Sequence, residues 1–326
     1  MFKIIKMELF DTFQCWMSDC PANCCDENWN ITIDDQTMEK YRTLEIPELS
    51  EKISSEPPHR ILKKDGKCPF IEPSGLCMIH RTYGEAYLSN TCASYPRFVS
   101  MYGDVYMETL GLSCPAVVKQ VYELPTLITY TEQMNYEKEE EIGQRLPDTF
   151  PESLAKRLLG FLNGEKEIFE TYSEMYAFLS DEKAEMLPPV TKLLTLLRDG
   201  TSDTPVRHYV EELYPKGADL RDLTKEKLLQ LSDRLQKQKD LFAANCHRIL
   251  CFEHMMLESL SEEPDYPGVL RRNQILWELV LTALFQKCGD EPASEAAITE
   301  TMFKVMRVLD HNEKLLPRIE DAVSDD

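Results

Sequence analysis

Cys15-Trp16-Met17-Ser18-Asp19-Cys20-Pro21-Ala22-Asn23-Cys24-Cys25 opens a stretch that closes at Ser113-Cys114-Pro115. Cys68-Pro69-Phe70, Cys77 and Thr91-Cys92-Ala93-Ser94-Tyr95-Pro96-Arg97 lie between. Eight of the chain's 11 cysteines, namely Cys15, Cys20, Cys24, Cys25, Cys68, Cys77, Cys92 and Cys114, therefore fall in the first 114 of its 326 residues. Thiols at this density are read first as chemistry. Disulfides would need an oxidising compartment. Met1-Phe2-Lys3-Ile4-Ile5-Lys6, however, runs straight into Glu8 and Asp11 rather than into the apolar core of a secretion signal. The expected location is the cytoplasm. Burial as small apolar residues is a second reading. Metal ligation is preferred, because neighbouring thiolates such as Cys24 and Cys25 repel unless a cation offsets their charge.

The spacing leaves the metal open. Structural zinc favours paired knuckles of two close cysteines. Cys68-x8-Cys77 and the long gaps around Cys92 and Cys114 do not follow that pattern. Dispersed all-thiolate sets suit iron–sulfur clusters equally well.

Several longer motifs carry a resemblance. The order Cys15-x4-Cys20-x3-Cys24-Cys25 with Trp29-Asn30-Ile31, then Cys68-Pro69-Phe70 and Leu76-Cys77-x-Ile79-His80, is similar to the flagellin lysine-N-methylase family. So are Gly84-Glu85-x-Tyr87-Leu88-Ser89-x-Thr91-Cys92-x-x-Tyr95-Pro96-Arg97 and Gly103-Asp104-Val105-Tyr106-x-Glu108 leading to Leu112-Ser113-Cys114-Pro115. The likeness covers about residues 8–120, with Val308-Leu309-Asp310-His311-Asn312 as a later echo. The family is itself related to small cysteine-cluster proteins that chelate zinc or iron. The resemblance implies S-adenosylmethionine-dependent methylation of flagellin lysines by an iron–sulfur protein, with a [4Fe-4S] cluster and zinc as the alternative. A carboxylate or phenol can take the ammonium proton, for which Glu85, Tyr87, Tyr95 and Glu108 lie in or near the matching motifs. Arg97 suits either a cofactor carboxylate or, as the preferred reading, charged sulfurs or a buried acid. The competing function is a non-enzymatic metal-chelating or redox-sensing module that binds a partner.

Bulk properties narrow the classes. A net charge of −21 excludes a phosphate-binding surface of the usual basic kind, so no nucleic acid is expected. No apolar run approaches the roughly 18 residues of a membrane span, so no membrane is expected either. No Gly-x-Gly follows a strand, which argues against a Rossmann-type cofactor domain. Cys25 follows Cys24 directly and strand–helix repeats are missing, which argues against a radical-type barrel.

Local patterns set the architecture. Residues 28–34 alternate like a short strand, and Asp34 or Asp35 can cap a helix carrying Met38, Tyr41 and Leu44. Ser50–Asp65 reads as an exposed loop. Residues 97–102 and 105–110 alternate about Gly103-Asp104, a hairpin with a tight turn that brings Cys92 and Cys114 together. Pro115 suits the first position of a following helix. Glu137–Glu141 reads as a linker, after which the periodicity is helical. Helices are expected about Leu154–Leu162, Ile168–Leu179 and Leu193–Leu197, in one long segment from Leu228 to Ile249, and about Ile275–Phe285 and Ile298–Leu309. His247, Cys251 and His254 share a face of the long segment at ligand-like spacing, although no fourth ligand is evident and the surroundings are core-like. The expected fold is α+β, mainly α: a cysteine-rich metal-binding module with a short hairpin over 1–120, packed on an all-helical domain over 121–326.

Overall fold

The computed structural model describes residues 2–26, 29–64, 66–102, 105–135, 144–146, 190–201, 206–216, 223–258, 266–310, 315 and 319. Its first element is strand β1, Phe2–Met7. Ile4, Ile5 and Met7 are all buried there, so this strand is covered on both faces instead of showing a one-sided alternation. It is one of the three inner strands of a five-stranded sheet of order β4-β1-β3-β2-β5. The other members are β2 (Arg97–Tyr102), β3 (Val105–Leu110), β4 (Tyr130–Asn135) and β5 (Gln144–Leu146). β1 runs parallel to β3, with Ile4 opposite Tyr106, and antiparallel to β4, with Met7 opposite Tyr130. A parallel neighbour requires a crossover connection. Here that connection contains nearly the whole cysteine-rich stretch.

The chain accordingly divides into two compact units, one of Met1–Phe13 with Phe98–Asp326 and the other of Gln14–Arg97. The expected boundary at residue 120 is not where contacts divide, because β1 draws the hairpin strands into the larger unit. The expected all-helical domain is also corrected. β4 and β5 are strands within it, and they share one unit with the helices. The β1–β4 pairing joins residues more than a hundred positions apart, which local periodicity does not register.

The smaller unit holds α1 (Asp35–Arg42), α2 (Leu49–Lys52), α3 (Met78–Tyr83) and α4 (Asn90–Ser94), with short 3-10 turns at Met17–Asp19, Cys24–Asp26 and Glu85–Tyr87. Its core joins Ile31, Ile33, Tyr41, Ile53, Ile61, Phe70 and Ile79. The expected strand over 28–34 is reduced to one bridge, Thr32 to Arg60, with Ile33 N–H donating to His59 C=O at 2.8 Å. Its partner segment is too short for a ladder after the turn at Pro57-Pro58. The expected loop at 50–65 is likewise part helix and part core, since α2 ends there and Ile53 pairs with Ile61.

In the larger unit α5 (Pro115–Glu123) starts at Pro115 as expected. The remaining described helices are α6 (Val190–Thr201), α7 (Arg207–Leu213), α8 (Lys225–Gln238), α9 (Asp240–Glu258), α10 (Tyr266–Cys288) and α11 (Glu295–Asp310). The long expected segment is thus two helices, broken at Lys239, whose φ of −153° leaves the helical region. The expected helices at 154–162 and 168–179, the linker at 137–141 and the turn at 103–104 lie outside the described residues. Asn245 of α9 is fully buried and clamps the approach to β4. Its Oδ1 accepts from Ile128 N–H at 2.8 Å, and its Nδ2 donates to Thr126 C=O at 3.0 Å. Among the described residues no helix is long and apolar enough to cross a membrane.

Candidate metal centre

Four thiols belong to the apolar cluster of the smaller unit. Cys68 is among its buried members at 8% exposure, and Cys25, Cys77 and Cys92 pack against it. Each arrives on a locally determined turn. Cys25 sits in the 3-10 turn Cys24–Asp26, where its N–H donates to Asn23 Oδ1 at 2.9 Å. Asn23 Nδ2 donates onward to Gly75 C=O at 3.2 Å, which ties this turn to the one preceding α3. Cys68 N–H donates to Cys25 C=O at 3.1 Å. Cys77 is the N-cap residue of α3 and bridges to Ile71. Cys92 lies one turn into α4, its N–H received by the Ser89 hydroxyl at 3.3 Å.

The electrostatics bind the set together and add Cys24. The Cys25 thiol is pushed far up, first by its hydrogen bond with the Cys24 side chain and then by burial, with Cys68 and Cys92 adding to it. Burial pushes Cys68 and Cys92 each up to about 11, and the neighbouring thiols reinforce the shift. Burial also raises Cys77, with Cys24 contributing. Each thiol therefore resists ionisation while its neighbours remain uncompensated, and a bound cation reverses that balance. Two further groups face the set. Lys63 is lowered by burial while the thiols Cys68, Cys25, Cys24 and Cys92 pull it back up, and the Tyr41 phenol is raised by burial and then by Cys92, Cys77 and Cys68. Among the described residues no group of three or more His, Cys, Asp or Glu side chains is placed so that it could hold a metal ion. The fit therefore rests on donor chemistry: soft sulfurs, mutually opposed as anions, suit zinc or an iron–sulfur cluster, either of which takes four of the five.

No family model and no solved structure matches the chain. Curated proteins do. Flagellar biosynthetic protein FliU of Salmonella muenchen is 28% identical over 139 residues, covering 39% of this chain and 80% of its own length. Lysine-N-methylases of Salmonella typhimurium and Salmonella choleraesuis are each 29% identical over 134 residues, covering 37% of this chain and 33% of their own length. Over that stretch the chain is similar to the lysine-N-methylases. It spans only about a third of their length.

The remaining sequence candidates are placed as follows. Cys15 is exposed, its sulfur accepting from Met17 N–H at 3.3 Å, and the Cys20 thiol donates to Ala22 C=O at 3.4 Å. Cys114 is buried in the larger unit as the N-cap residue of α5, whereas Cys92 belongs to the smaller one. Glu85 is exposed in its 3-10 turn. Tyr95 packs edge-on against Trp29, with ring centroids 5.2 Å apart, and Arg97 opens β2. His247 lies against Trp277 at 4.6 Å, and His254 Nδ1 donates to Asn273 Oδ1 at 2.6 Å. The side chain of Cys251 lies outside the described residues. Arg307, the residue just before the later echo, donates through Nε to Ser113 C=O at 3.0 Å. Lys63, Tyr41, Asn23 and Ser89 were not singled out from sequence. Only Ser89, three residues before Cys92 in a capping position, left a readable signal.

Proposed function

We propose that this protein transfers methyl groups from S-adenosylmethionine to lysine ε-amines of flagellin, and that Cys24, Cys25, Cys68, Cys77 and Cys92 hold a soft metal centre. The observation that carries the reading is the relation to the lysine-N-methylases of Salmonella. A net charge of −21 adds a surface that attracts a lysine-bearing partner.

The transfer itself is a displacement. A neutral lysine nitrogen forms the N–CH3 bond as the S–CH3 bond of the sulfonium breaks, leaving the thioether. The protein must remove one proton from the ammonium and hold the amine in line. Tyr95 and Glu85 are groups in the resembling stretch able to take that proton, and Arg97 is suited to the donor's carboxylate. Four of the five cysteines would hold the metal, which would offset part of their thiolate charge and tie together a unit of short helices and turns. A [4Fe-4S] cluster is the first expectation and zinc the alternative. A second reading, a chelating or redox-sensing module without catalysis, is favoured by the packing of the thiols into an apolar core.

The test is incubation of metal-loaded protein with isotopically labelled S-adenosylmethionine and flagellin, followed by mass spectrometry of the lysines. Labelled methyl-lysine is the expected result. Its absence with intact, loaded protein leaves the chelating module.

A further inference from the structure

Asp34 lies between two helix starts, and both lead to the thiols. As N-cap residue of α1 it accepts Thr37 N–H on Oδ1 at 2.8 Å and the Thr37 hydroxyl on Oδ2 at 2.8 Å. The same Oδ2 accepts Asn90 N–H at 3.1 Å, at the first residue of α4 and 56 positions along the chain. α1 carries Tyr41, a buried member of the apolar cluster that contains Cys68 and against which Cys77 and Cys92 pack. α4 carries Cys92, set one turn from Asn90 by the buried Ser89 cap. Other links follow the same seam: Lys40 Nζ donates to Ala86 C=O at 2.9 Å, and the hydroxyls of Thr32 and Thr91 meet at 3.4 Å.

An ordinary N-cap serves its own helix and is worth about 1 kcal/mol. Asp34 has a second task that capping does not need. α4 has only five residues, too few to hold itself in place, so the position of Cys92 depends on what fixes its first turn. We propose that Asp34 is a positioning residue for the metal centre, its carboxylate holding the α4 turn so that Cys92 keeps its place at the apolar cluster it shares with Cys25, Cys68 and Cys77. This rests on the reading of the thiols as a metal site. Groups that orient ligands without touching the metal typically change affinity by about 10–100-fold when removed.

The full chain, purified metal-free under anaerobic conditions, is titrated with Co2+ and followed by thiolate-to-cobalt absorption. Asp34→Ala is expected to weaken Co2+ binding about 10–100-fold. Asp34→Asn, which keeps one acceptor oxygen, should fall between it and wild type, and the exposed neighbour Asp35→Asn should match wild type. In parallel, alkylation of the metal-free proteins by iodoacetamide is read by mass spectrometry. Cys92 should react several-fold faster relative to Cys77 in both Asp34 variants than in wild type. Unchanged Co2+ affinity in a folded Asp34→Ala overturns the proposal, as does a loss of metal-free stability with affinity intact, the signature of a simple cap. If Asp34→Ala fails to fold, Asp34→Asn decides by the same two readouts. If wild type takes up no Co2+, the metal reading falls and the alkylation ratio alone decides for or against Asp34.

Discussion

Cys92 and Cys15 show how differently two thiols of one motif can stand. Cys92 packs against the apolar core with its ionisation opposed by burial and by Cys24 and Cys77, whereas Cys15 is exposed. Cys92→Ser should therefore abolish or sharply reduce metal uptake, while Cys15→Ser leaves the metal-to-protein ratio of wild type. Elemental analysis of the purified variants checks both. Lys63 carries a related lesson. It faces thiols from a segment whose Ser-Ser-Glu-Pro-Pro composition reads as solvent-exposed loop. Nothing local marks it, because its place follows from Ile53 pairing with Ile61 and drawing the neighbouring backbone inward.

At the scale of elements, the seam between α9 and α10 sets a pH limit. His247 and His254 are lowered to about 4 by burial, with Arg272 acting in the same direction on His254 and its Asn273 hydrogen bond against it. Depressed values favour the folded state above the ordinary histidine value of 6.5, and that contribution is lost as pH falls towards 4. Each histidine then removes about 3 kcal/mol. Denaturant midpoints should fall between pH 6.5 and 4, and His247→Phe should flatten that limb. A second element-level test concerns β4. Asn245→Ala leaves the buried Ile128 N–H without its acceptor and removes the donor to the Thr126 carbonyl, and should cost about 1–3 kcal/mol in urea unfolding. The helices α10 and α11 and the Pro115 start of α5 were legible because their apolar spacing or cap is local. β1 and β4 were not. Phe2–Met7 is short and carries two lysines, and its strand character comes from being enclosed by β3 and β4.

For the whole molecule, one topological fact organises the rest: β1 and β3 are parallel neighbours, and the cysteine-rich unit is inserted between them in sequence. Cysteine density alone pointed to one convergent set; Cys24, Cys25, Cys68, Cys77 and Cys92 lie in the unit of Gln14–Arg97, four of them in or against its apolar cluster, and among the described residues no three such side chains are placed to hold a metal ion. Spacing cannot distinguish these five from Cys15, Cys20 and Cys114, because membership depends on which turns the short helices α3 and α4 present to the core. The account stands most directly on what those five sulfurs hold. Protein purified anaerobically should contain iron with a matching amount of labile sulfide, lost together in Cys92→Ser. Stoichiometric zinc without sulfide would select the alternative metal. Wild-type protein that is folded, fully reduced and free of both iron and zinc would contradict the account.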